Sequence, residues 1–159
     1  MVVMGRLFPS ELTQRLGASH RDRGDLCAGL ESHAEAEPLF EALDNPVEAS
    51  VNSAHDALCE VQLGRPDTAL SMLVPLLERL SGELATVPAH ETITLRWTCH
   101  QVLKAVGDSR AALMLEQLYV DVQACAAELT DAADRDRLIQ ALSVWHAIVA
   151  AHGRAGAAP

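Results

Sequence analysis

Cys99 and His100 are adjacent, and a thiol beside an imidazole is the raw material of a thiolate nucleophile. Neighbouring residues on a helix point about 100° apart, so these two side chains would not face each other. Cys99 also falls on an apolar face with Leu95, Val102, Leu103 and Val106, which favours a buried, inert thiol. His90 and Glu91 begin like the zinc-protease motif H-E-x-x-H, but Thr94 stands where the second ligand belongs. The stretch reads instead as the start of a helix with Glu91 in its first turn. His146 and His152 share a helix face poorly, and with His100 and Cys125 they lack the close ligand pairs of a structural zinc site. Glu31, Glu35, Glu37, Glu41, Asp44 and Glu48 form an acidic stretch. No convergent base or nucleophile accompanies it, so it reads as a solvated face. These residues give no catalytic group, cofactor or metal, and the chain is expected not to be an enzyme.

Trp97, Gln101 and Lys104 recur at helical spacing on the side opposite Cys99, Val102 and Val106. Trp anchors many binding hot spots, so this stripe is the candidate partner-binding face. The competing reading packs Trp97 into the core beneath a neighbouring hairpin. A rival function is a small helical enzyme or ligand-binding regulator, with a pocket lined by Trp97, His100 and Trp145. Another is a truncated gene product with no separate function.

Such side chains need elements to hold them. The chain has 159 residues, 49% of them hydrophobic and only 3% aromatic. Ala and Leu dominate, which favours helices over strands. A formal net charge of −10 disfavours nucleic acid as a partner. Lys104 is the only lysine. The four cysteines, Cys27, Cys59, Cys99 and Cys125, lie far apart, and the N-terminus lacks a signal-peptide core. With no apolar run of roughly 18 residues to span a membrane, a cytoplasmic chain with reduced, core-filling cysteines is expected.

Val47, Val51, Ala54, Leu58 and Val61 mark one helix face, with Pro46 at its start and Gly64 at its end. Pro66 restarts the chain, and Ala69, Leu70, Leu73, Leu76, Leu77 and Leu80 form the next face. Pro75 predicts a kink or short break near Ser71 to Pro75. The plan then repeats. Leu95, Cys99, Val102, Leu103 and Val106 lead to Gly107, after which Ala111, Leu115, Leu118, Val122, Ala126 and Leu129 form a long face. Leu138, Leu142, Trp145 and Val149 predict one last helix. In both turns an Ala follows the Gly by five positions, Ala69 after Gly64 and Ala112 after Gly107. A small residue one turn into the second helix would let two antiparallel backbones approach closely. A weaker copy begins at Gly24, with Gly29 five positions on and a helix from Ser10. Its 40-residue offset from Gly64 is close to the 43 between Gly64 and Gly107, a period typical of stacked repeats.

Ala57, Gly64 and Ala69, with Gly107 and Ala112, match the spacing of the tetratricopeptide-repeat signature and resemble that family. The run "LRWTCHQVLKAVGDSRAALMLEQLYVDVQACAAELTDAADRDRLIQAL" is similar to the final helical repeats of large bacterial signalling ATPases, transcriptional activators and nucleotide-cyclase-associated proteins. The resemblance implies a helical solenoid that binds other proteins or neighbouring domains. It departs from the standard repeat at Ser53 and Arg96, where an aromatic is expected, and at Ser81 and Ala124, where a proline is expected. The ATPase itself does not carry over, because Lys104 lacks the Gly before it and the Ser or Thr after it that a phosphate loop needs.

The expected architecture is therefore all-α, with antiparallel helical hairpins stacked as a short solenoid. Residues 1–45 form a weak N-terminal helical unit, 46–152 the repeat domain and 153–159 a disordered tail. Val2, Val3, Leu7 and Phe8 make the N-terminal end sticky or loosely ordered. A missing unit or a second copy of the chain would cover it. The expected partner is a protein or a neighbouring domain, not nucleic acid or a membrane.

Overall fold

The computed structural model describes residues 25–42 and 45–157. All regular structure among them is helical. Seven helices follow one another: α1 Leu26–Ala42, α2 Pro46–Gln62, α3 Pro66–Ser81, α4 Ala89–Ala105, α5 Arg110–Ala126, α6 Ala132–Ala141 and α7 Ser143–Gly156. The chain divides into two compact units, residues 1–76 and 77–159. The expected Ser10 helix, the Gly24 turn and the apolar residues Val2 to Phe8 lie outside the described residues.

In the first unit α1 packs against α2. Asn45 caps α2 by accepting the Glu48 amide at 3.2 Å, and Pro46 holds the first helical position. Val51, Ala54, Ala57, Leu58 and Cys59 are buried, as are Ala69, Leu73 and Leu76 of α3. The α1–α2 contact also holds polar groups that periodicity does not reveal. His33, fully buried, donates from Nδ1 to Asp56 at 2.6 Å, and Asn52 donates to the His33 carbonyl at 2.8 Å. Buried polar groups of this kind must be bonded or they cost stability. Gly29 lies inside α1 and is buried. Helix α3 runs without a break past Pro75. The expected short break is absent, and Pro75 itself is exposed.

The second unit is built around Ile93, Leu115, Leu118, Val122, Ala126, Ile139, Ile148 and Ala151. These belong to four helices, and α7 packs on α4, α5 and α6. Full burial of a side chain such as Leu118 contributes about 2–3 kcal/mol. Asp131 caps α6 by accepting the amides of Ala133 and Asp134. The single last helix expected from Leu138 to Val149 is two helices, because Leu142 adopts an extended backbone at φ −95°, ψ 105°. The break re-aims the chain. Leu142 is left exposed, while Ile148 and Ala151 reach the core. The expected disordered tail is also corrected: residues 153–156 continue α7, since Arg154 and Ala155 are good helix formers and the helix is already anchored by Ala151.

Both turns use glycine in the left-handed region. Gly64 has φ +78° and Gly107 φ +75°. Each is closed by the paired bonds of a Schellman cap: Arg65 to the Glu60 carbonyl and Gly64 to the Val61 carbonyl, then Asp108 to the Leu103 carbonyl and Gly107 to the Lys104 carbonyl. They differ in the spacer to the next helix. Helix α3 starts two residues after Gly64 and α5 three residues after Gly107. Ser109, the residue before α5, is already in the helical region at φ −61° and ψ −24°. Ala69 is fully buried, whereas Ala112 is exposed and Ala111, one position earlier, takes the inner place. The expectation that Ala112 is the close-approach residue is corrected accordingly.

Candidate functional site

The site residues of the second unit sit on one face of α4. Trp97, His100, Gln101 and Lys104 stand at helical spacing and line a groove of about 450 Å³ with Ala151 and Arg154 of α7. Trp97 is half-buried rather than free. It packs against the core cluster, and its ring lies 5.2 Å from that of His100 at an interplanar angle of 23°. Gln101 is half-buried and Lys104 exposed. The expected stripe thus has a core-facing end at Trp97 and a solvent-facing end at Lys104. Trp97 both packs on the core and borders the groove.

His100 is 3% exposed. Its Nδ1 lies 2.9 Å from the Ala111 carbonyl, which can only accept, so Nδ1 carries the proton and Nε2 the lone pair. Burial pushes the His100 pKa down; the Ala111 carbonyl opposes this, and nearby Lys104 adds to it. The ring is therefore neutral near pH 7. Ala111, one position before Ala112, is the α5 residue whose carbonyl meets His100.

His100 and Lys104 also border a second cavity of about 580 Å³, whose wall includes Asp108, Ser109, Ala111, Leu115 and Arg154. Asp108 is clamped by Arg110, whose amide and Nε bond one carboxylate oxygen at 2.9 Å each, with Nη2 on the other at 2.7 Å. These bonds hold the Asp108 pKa down at about 2. Sequence alone puts Arg154 in a frayed tail. Only the continuation of α7 places it opposite Lys104.

Other candidates fall elsewhere. Cys99 is fully buried, and burial pushes its thiol pKa up to about 12, so it is a protonated thiol near neutral pH. Cys59 is buried like Cys99, and Cys125 is half-buried. His90 is exposed at the start of α4 beside Glu91. His146 is exposed, and Trp145 packs against the core cluster. Neither lines the groove with Trp97 and His100, so the pocket expected from Trp97, His100 and Trp145 is not formed as such. His152 donates to Glu116 at 2.7 Å and stacks on Tyr119 at 3.9 Å, contacts that depend on α5 and α7 meeting and have no sequence signal. Glu31 and Glu35 of the acidic stretch are exposed. No group of three or more His, Cys, Asp or Glu among the described residues is placed to hold a metal. No described helix is long and apolar enough to cross a membrane. No protein-family model, curated protein or solved structure matches the chain.

Proposed function

We propose that the chain is a non-catalytic interaction module, a short tetratricopeptide-like stack of antiparallel helical hairpins that docks a protein segment or neighbouring domain in the cytoplasm of a bacterium. The observation that carries this reading is the open α4–α7 groove. An aromatic anchored against the core, an amide at Gln101 and the one lysine of the chain lie along a single helix face there. A rigid aromatic beside adaptable polar groups is the composition of a binding hot spot. The nearest nucleophile, Cys99, is buried and protonated on the other side of the same helix. The resemblance to the terminal repeats of signalling ATPases gives the same reading a biological setting.

The test places a photo-crosslinking amino acid at Gln101 and, as a control, at exposed Gln117 of α5. A defined cross-linked protein is expected from position 101, lost in Lys104→Glu and absent from position 117. Equal cross-linking from both positions would remove the proposed docking face.

A further inference from the structure

We infer that the 580 Å³ cavity beside the groove is a binding site for a small amphipathic monocarboxylate, its headgroup held between Lys104 and Arg154 and its apolar body lying on Ala111, Leu115 and Ala151. This goes beyond the docking reading, which concerns the neighbouring groove. The cavity's size is that of a small-molecule site. Its charge is the second argument. In a chain of net charge −10, the wall carries two cations against one carboxylate. Neither Lys104 nor Arg154 is in an ion pair among the described residues, whereas Arg65, Arg79, Arg96, Arg110 and Arg137 each are, and Arg135 donates to the Leu129 carbonyl. Unpaired cations on opposing helices, across an apolar floor, are the arrangement that recognises a carboxylate.

The same wall limits the ligand. Asp108 keeps its negative charge because Arg110 holds it, so the wall's two cations and one carboxylate leave a single net positive charge, which one carboxylate headgroup balances. His100 is neutral and adds no positive charge. Ser109 lies in the same wall, and Asp108 already occupies the α5 N-terminus by accepting the Arg110 amide. The remaining lining, Ala112 and Ala155 among it, is small and apolar, which suits an alkyl or aryl body rather than a sugar.

Octanoate is the probe, titrated calorimetrically into the full chain, with 1-octanol as the uncharged body and acetate as the bare headgroup. Saturable one-site binding of octanoate is expected, at least about tenfold tighter than either control. Lys104→Gln and Arg154→Gln are each expected to weaken it about tenfold, with melting temperatures unchanged because both side chains are exposed. Arg79→Gln, a cation outside the cavity, should titrate like wild type. The inference is overturned if octanol binds as tightly as octanoate, if both charge variants titrate like wild type, or if octanoate fails to saturate. The two readings separate cleanly: octanoate binding can fail while the Gln101 cross-link survives, or the reverse.

Discussion

Gly64 and Gly107 close their helices with the same backbone conformation and the same pair of cap bonds, yet the chain leaves them differently. After Gly64, Pro66 begins α3 at once, and Ala69 is sealed in the core. After Gly107, Asp108 accepts the Arg110 amide and is clamped by the Arg110 side chain. Ala111 then goes inward to meet His100, and Ala112 faces the cavity. The same turn signal is thus followed by a buried alanine in one unit and by an exposed, cavity-lining alanine in the other.

The largest effect that would sharpen this contrast is at the alanines. Ala69→Leu should cost about 1–3 kcal/mol by overpacking, while Ala112→Leu, exposed, should change stability by no more than about 0.5 kcal/mol. Urea melts of the two variants read the difference. Equal losses would restore the symmetric picture of the two turns.

The glycines come next, and here the two turns should behave alike. An added Cβ meets nothing within 4 Å at either position, so Gly64→Ala and Gly107→Ala should each cost about 1–2 kcal/mol through the left-handed backbone alone. A much larger loss at one turn would mean that the caps are not equivalent.

The smallest effect concerns His100, whose folded-state pKa is lowered chiefly by burial. A lowered histidine pKa means that the unfolded chain takes up the proton first as the medium is acidified. His100 therefore contributes stability that is fully present above the ordinary pKa of about 6.5 and is lost as pH falls toward the folded-state value. His100→Gln, which can still donate to the Ala111 carbonyl, should flatten the decline in stability between about pH 7.5 and 5.5. A parallel decline in both proteins, measured by urea melts at the two pH values, would contradict this.

Much of the helical pattern is readable from the sequence because it rests on local periodicity and turn chemistry. The faces holding Val51, Ala54 and Leu58, or Leu115, Leu118 and Val122, are buried as their spacing requires. The two glycine turns are legible for the same reason. The features that escape depend on partners distant in the chain. Leu142 fits the period of a single helix, but only the core formed with Ile148 and Ala151 explains why the backbone bends there. Ala112 is misplaced by spacing alone because a fixed residue count across a turn does not say which of two adjacent alanines meets the neighbouring helix. The candidate site is half legible: Trp97, Gln101 and Lys104 share one helix and one period, whereas Arg154 and His100's bond to Ala111 require α4, α5 and α7 to be assembled. The His33–Asp56 pair links residues 23 positions apart, beyond the reach of periodicity.

That a ligand cavity lies beside the Gly107 turn, with Ala112 in its wall, is tested most directly by titrating octanoate into Ala112→Leu and Ala69→Leu side by side. Leu at 112 projects into the cavity, and Leu at 69 lies in the other unit. The account predicts that Ala112→Leu loses octanoate binding at an unchanged melting temperature, while Ala69→Leu melts earlier and, below its melting point, binds octanoate as wild type does. Wild-type octanoate affinity in Ala112→Leu would contradict it.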